Sequence, residues 1–202
     1  MSCPLENSKG SGKTASNIKD IIDKPDSEKP NIGPEQRYIV IHNLTNSVIY
    51  PGLYAKESGG GELLMDKQPG NYEKDIPSGF KLEPNEYRYL IVPRYLDSGR
   101  VWARTGCQFS EHGYDNKECS LVCETGNCPM NKDEYNKSDQ GVRCGIIGGE
   151  PPVTAIEFSF ARNVDFYDIS QVDGNNIGAS MKPLGTRGVD YAEEPPQTPG
   201  DT

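Results

Sequence analysis

An all-β domain, a β-sandwich or flattened barrel, is the architecture this sequence predicts, and three observations carry it. Stretches rich in β-branched and aromatic residues recur at short intervals. Turn-forming residues punctuate them, with 22 Gly and 16 Pro among 202 residues. The aromatic content is 11 Tyr, 5 Phe and 1 Trp, without any convincing amphipathic helix beside it. Many short strands separated by Gly and Pro read as a sandwich or barrel rather than a helix bundle. Apolar residues make up 34% of the chain, which suits one core and hardly two large domains.

Taken in order, residues 1–35 are polar, with five Lys against six Asp and Glu. They carry one apolar cluster at helical spacing, Ile18, Ile21 and Ile22, as in a flexible tail with a helical turn or docking segment. Gly10-Ser11-Gly12-Lys13-Thr14 imitates a phosphate loop, but the motif's first glycine would fall on Asn7 and no strand precedes it. A polar linker is the better reading. The domain proper is expected over 36–188. Its strand candidates are Arg37–His42, Ser47–Tyr50, Glu62–Met65, Phe80–Leu82, Tyr87–Val92, Arg100–Arg104, Ala155–Ala161 and Asp165–Val172. The first two, joined by a turn at Asn43 to Asn46, read as a hairpin. Residues 189–202 hold four acids, no base and three Pro, a second disordered tail.

The charge balance excludes several partners. A net charge of −9 with no basic stripe argues against nucleic acid and anionic lipid. No apolar run approaches the roughly 18 residues that cross a bilayer, so membrane insertion is not expected. The N-terminus lacks the apolar stretch of a secretory leader. Either a leader has been removed from a secreted protein, or the chain is made in the cytosol and serves inside the cell or in a virion. Asn43-Leu44-Thr45 and Asn136-Lys137-Ser138 are glycosylation sequons that matter only on the secretory route. Five of the six Cys lie from Cys107 to Cys144, spaced C-x11-C-x3-C-x4-C-x15-C, with Cys3 apart. The lack of a C-x2-C pair and the presence of only two His favour disulfides over a zinc site. No metal or cofactor is expected.

Four segments, in this order, resemble those of thaumatin-like proteins. They are Gly99-Arg100-Val101-Trp102-Ala103-Arg104-Thr105-Gly106-Cys107; Cys123-Glu124-Thr125-Gly126-Asn127-Cys128; Gly148-Gly149-Glu150-Pro151-Pro152 with Ala155-Ile156-Glu157-Phe158; and Asp165-Phe166-Tyr167-Asp168-Ile169-Ser170-Gln171-Val172-Asp173-Gly174. The resemblance implies the thaumatin-like β-sandwich and the disulfides Cys107–Cys123 and Cys128–Cys144, leaving Cys3 and Cys119 unassigned. Closing loops of about 15 residues would add roughly 3 kcal/mol each in the chain-entropy view. Departures are equally plain. The family's first-strand cysteine is Leu44 here and no Cys follows Cys144, so a short variant without the disulfide-rich second domain is expected. The signature Asp is Asn127, and an insertion of about Pro129 to Gly141 precedes Cys144.

The resemblance also implies an acidic cleft, and by motif its Arg, Glu and two Asp fall on Arg100, Glu157, Asp168 and Asp173. The fifth acid has no counterpart. Carboxylates gathered around a guanidinium and flanked by aromatic rings suit sugar hydroxyls, a basic peptide or a cation. If the chain is a glucanase, Glu157 and Asp168 are the catalytic pair implied, but a missing opposite wall weakens water exclusion and favours binding over hydrolysis. Each residue also has an ordinary reading. Arg100 and Arg104 suit exposed cross-strand ion pairs, Asp173 before Gly174 suits a turn, and Trp102 suits the core. The leading expectation is a defence-type protein binding β-glucan or a related cell-wall polysaccharide, with weak endo-β-1,3-glucanase activity at most. The alternative is a structural or interaction protein of an intracellular or virion assembly, its tails ordering on a protein partner. Inhibition of a foreign enzyme through surface loops is a third.

Overall fold

The computed structural model describes residues 13–57, 79–110, 120–128, 144 and 148–184. In chain order the elements are β1 (Lys13–Thr14), α1 (Ile18–Ile22), a 3-10 turn (Asp26–Glu28), β2 (Gln36–His42), β3 (Tyr50–Glu57), β4 (Glu86–Pro93), β5 (Leu96–Arg104), β6 (Gln108–Ser110), β7 (Ser120–Val122), β8 (Ala155–Phe160) and β9 (Asp165–Ser170). All pairing is antiparallel. One sheet has the order β1-β4-β2, the other β3-β5-β8-β9, and β6-β7 form a small ribbon. The all-β sandwich expected from the sequence is the observed fold.

The core lies between the two larger sheets. Alternation sends Leu53 and Ala55 of β3, Val101 of β5, and Phe158 and Phe160 of β8 inward, against Leu90 and Val92 of β4 and Ile39 and Ile41 of β2. Arg37 closes one end: its guanidinium lies 4.4 Å from the centre of the Phe160 ring and bonds Asp165 at 2.7 Å. The outer face of β4 is covered as well. Ile21 of α1 packs on Tyr87, and β1 pairs with the start of β4. Asn17 caps α1 through a capping box with Asp20. Ile18 and Ile21 thus pack with Tyr87 and Tyr89 of β4.

The expected hairpin of Arg37–His42 with Ser47–Tyr50 does not form. β2 pairs with β4, whereas β3 pairs with β5 in the opposite sheet, and Ile49 makes only a single bridge to Leu82. Asn43 is the physical reason. Its amide donates to the carbonyls of Ser47 and Leu82 at 2.8 and 3.1 Å, and its side-chain oxygen accepts from the Thr45 backbone N–H and hydroxyl. The turn therefore carries the chain from one sheet to the other. β3 runs through Pro51 and Gly52, a pair of turn-forming residues by composition. Proline is tolerated because β3 is an edge strand, and glycine is required because a Cβ at Gly52 would collide with the Trp102 ring. The candidate strand Glu62–Met65, the insertion after Cys128, Asn136, Cys3, Cys119 and the acidic tail lie outside the described residues.

Asn43 is 1% exposed and its amide nitrogen is committed twice, so the folded chain cannot carry a glycan there. Asn43→Gln is expected to lower stability by about 1–3 kcal/mol, the cost of leaving buried polar groups unpaired, as read by denaturant unfolding. On secretory expression, mass spectrometry of the native protein should find Asn43 unmodified.

Candidate functional site

The central strand β5 organises the outer face of its sheet. Arg100 stands opposite Tyr54 of β3 on one side and Glu157 of β8 on the other, and Glu157 stands opposite Asp168 of β9. Directly opposed residues share a face, so Tyr54, Arg100, Glu157 and Asp168 form one row across all four strands. Two residues along, Trp102 shares that face but is buried, 2% exposed, beneath the Cys128–Cys144 disulfide and Val153. Its indole N–H donates to the Gly126 carbonyl at 2.9 Å. The charged row is the next one along these strands, and Tyr54 in it packs against the same cluster.

Arg100 ties the row together. Its terminal nitrogen Nη2 donates to Asp173 at 2.7 Å, and Nε lies 3.3 Å from Glu157 as a charge contact rather than an aligned hydrogen bond. Asp173 sits in the turn after β9, where the Gly174 N–H donates to the Gln171 carbonyl and Gly174 takes φ of 97°. The backbone carbonyl of Asp173 also accepts from the Val153 N–H at 3.0 Å. The guanidinium fits because Gly148 has no side chain: a Cβ there would lie 2.5 Å from Nη1. The carboxylates of Glu157 and Asp173 remain about two-fifths exposed, at 41% and 38%.

A hollow of about 210 Å³ adjoins the row, with Tyr54, Arg100, Glu157 and Asp168 on its wall. Asp173 does not line it and reaches it only through Arg100. Of the four residues the sequence singled out, three therefore share a concavity and the fourth braces their cation. Ser98, Ser159 and Phe166 also line it and were not singled out, because a serine or an edge phenylalanine has no signal of its own until strand register is known. Arg104 is corrected: it is 1% exposed, its Nε donates to the Tyr50 carbonyl at 2.9 Å, and it belongs to the interior.

Both implied disulfides are present, Cys107–Cys123 closing the β6-β7 ribbon and Cys128–Cys144 covering Trp102. Asn127, where the family signature has Asp, is buried, accepts from the Cys123 N–H and donates its amide to the Glu150 carboxylate. An aspartate there would set two carboxylates together. A second hollow, about 430 Å³, lies beside the ribbon near Tyr50, Phe109 and Lys81. Burial pushes the Tyr50 hydroxyl above the usual phenol range, and Lys81 is held by Glu83 at 2.8 Å. Among the described residues no group of three or more His, Cys, Asp or Glu is arranged to hold a metal. No helix there is long and apolar enough to cross a membrane.

Arg100→Ala is expected to leave the fold intact and cost about 1 kcal/mol, since its partners are partly solvated. The loss should be local. Amide exchange at Val153 and Gly174 should quicken while exchange in β4 stays unchanged.

The family model described as "Thaumatin family" matches residues 46–197. Among curated relatives, a thaumatin-like protein of Arabidopsis thaliana is 32% identical over 146 residues, covering 72% of this chain and 48% of the relative. Pathogenesis-related protein 5 of the same plant is 40% identical over 112 residues, covering 54% and 39%. Pathogenesis-related thaumatin-like protein 3.2 of Cryptomeria japonica is 33% identical over 146 residues, covering 71% and 48%. The chain spans about half the length of the curated relatives it matches. With the match running over most of the chain and the sandwich and both motif disulfides in place, the chain belongs to the thaumatin family.

Proposed function

We propose that this chain is a secreted, defence-type carbohydrate-binding protein that holds β-glucan or a related cell-wall polysaccharide on the Arg100, Glu157 and Asp168 row, by binding rather than hydrolysis. One observation carries the reading: a guanidinium and two carboxylates line a single hollow together with aromatic side chains. Carboxylates accept from pairs of sugar hydroxyls, the guanidinium donates to ring and hydroxyl oxygens, and aromatic rings pack against the apolar face of a pyranose. Relatives named as pathogenesis-related proteins support the defence assignment. Two disulfides fit an oxidising compartment.

Hydrolysis fits the site poorly. A general acid needs a carboxyl enclosed away from water and from a compensating cation. Glu157 is open to solvent and lies against Arg100, and Asp168 sits on the exposed edge strand β9. A second reading, an interaction protein that reuses the sandwich, draws support from that same edge, where Phe166, Tyr167 and Ile169 are all exposed.

Insoluble β-1,3-glucan should retain the wild-type chain, and Glu157→Gln combined with Asp168→Asn should weaken retention about tenfold or more, two charged hydrogen-bond acceptors being lost. Equal retention of both proteins would remove the row from the site. No retention of either would favour the interaction reading.

A further inference from the structure

The outer face of the β2-β4 pair, on the other sheet from the charged row, carries an aromatic cluster. Alternation places Tyr87, Tyr89 and Ile91 of β4 on that face, with His42, Val40 and Tyr38 of β2 opposite them in turn. The rings stand edge to face in series: His42 to Tyr87 at 6.1 Å between centres, Tyr87 to Tyr89 at 5.5 Å and Tyr89 to Tyr38 at 5.3 Å. The chain's own residues 13–22 lie across part of this face. β1 pairs antiparallel with the start of β4, Lys13 opposite Tyr87 and Thr14 opposite Glu86. Ala15 follows, its N–H donating to the Asn85 carbonyl at 2.8 Å and its carbonyl accepting from His42 Nε2 at 2.9 Å. α1 then sets Ile18 and Ile21 against Tyr87 and Tyr89, while Ile91 stays 44% exposed.

Several features make this segment a separable occupant. The core between the two larger sheets draws on no residue ahead of Ile39. Among the described residues, no hydrogen bond runs from residues 16–32 to β2 or β4. The Lys24 ammonium, paired with Glu28 at 2.9 Å, acts on Tyr87 as a charge without an aligned hydrogen bond. Aliphatic packing therefore holds α1 in place, and a helix of five residues has little stability of its own. The fit also leaves a deficit. The Tyr87 and Tyr89 hydroxyls and His42 Nδ1 are buried with no hydrogen-bond partner, which offsets part of what the packing gains. A unit held in this way opens locally while the rest of the fold persists.

We infer that the Tyr38, Tyr87 and Tyr89 face is a peptide-docking surface, and that residues 13–22 occupy it as an autoinhibitory strap. The partner it fits is a protein segment of the strap's own chemistry. That segment is an extended residue pair adding antiparallel to the start of β4, followed by a helical turn with aliphatic side chains three residues apart. A carbonyl or carboxylate on it that accepts from the Tyr87 and Tyr89 hydroxyls would satisfy what the strap leaves unpaired. This gives a partner its advantage over the strap, which its tether holds at high effective concentration. The strap precedes residues 46–197, which the family model matches, and the surface is independent of the charged row and of the function proposed for it.

Hydrogen exchange on the full chain, followed by titration with a synthetic peptide of residues 13–24, tests this. The amides of Ala15 and Asp23, both hydrogen-bonded, should exchange much faster than those of β5. Ile21→Ser removes the strap's most buried anchor, 1% exposed, and touches nothing in the main core. Its β5 amides should exchange as in the wild type, showing an intact sandwich. With fewer sites blocked by the strap, its apparent affinity for the peptide should rise about tenfold or more, and the peptide should shift the Tyr87 and Tyr89 ring signals in NMR spectra. Ile22→Ser, outside that cluster, should bind the peptide no better than the wild type, and a peptide carrying Ile18→Ser and Ile21→Ser should not bind. Exchange of the strap amides at the rate of β5 would mean that strap and sandwich open only together. Failure of the Ile21→Ser chain to bind the peptide would mean that the face takes no ligand. Either result overturns the proposal.

Discussion

The register of β5 is the constraint on which the rest depends. This strand is paired on both sides, and every residue of interest takes its position from it. With a strict alternation from Arg100 backwards, Leu96 would share the outer face with Arg100 and Ser98. A β-bulge, in which Asp97 and Ser98 together face the single residue Ser159 of β8, reverses that, and Leu96 is buried at 1% exposure opposite Phe160. Magnitudes explain why the irregularity is kept. Burying a leucine contributes roughly 1.5–3 kcal/mol, whereas one disrupted ladder hydrogen bond costs about 1 kcal/mol net. The bulge satisfies the core and the outer face at once.

A second dependence runs through the covering loops. Cys128–Cys144 and Val153 lie on Trp102, and Trp102 fixes where Gly52, Gly126 and Gly149 can pass. The loop that holds Val153 is in turn tied to Asp173 by a backbone hydrogen bond, and Asp173 to Arg100 by its carboxylate. The charge cluster is therefore also a joint between the sheet and its cover. This gives Arg100 and Asp173 an architectural role alongside any ligand they meet, and it explains why Asp173 faces the guanidinium while lying outside the hollow. Binding and bracing draw on the same atoms.

Much of the fold was legible because alternation and β-branching are local signals. Tyr87–Val92, Ala155–Ala161 and Asp165–Val172 correspond closely to β4, β8 and β9. What was not legible depended on contacts distant in sequence. β3 was hidden because Pro51 and Gly52 look like a turn unless one knows that the strand is at an edge and beneath Trp102. The false hairpin arose because Asn43 has the composition of a tight turn, while its real partners include Leu82. Arg104 looked like a surface charge because burial of an arginine depends on a carbonyl such as that of Tyr50. At the site, the motif residues Arg100, Glu157, Asp168 and Asp173 were found by resemblance, whereas Ser98, Ser159 and Phe166 emerged only with register. The bulge itself has no sequence signature.

The most direct measurement is the unfolding of a chain from which Asp97 alone has been deleted, compared with one lacking Val101. Removing a true bulge residue converts β5 to a regular ladder and leaves Leu96 opposite Phe160 and Arg100 opposite Glu157. The chain without Asp97 should therefore unfold cooperatively, close to the wild type, and the one without Val101 should not fold. Equal collapse of both would mean that no extra residue lies at Asp97, and the register assigned to β5 would be wrong.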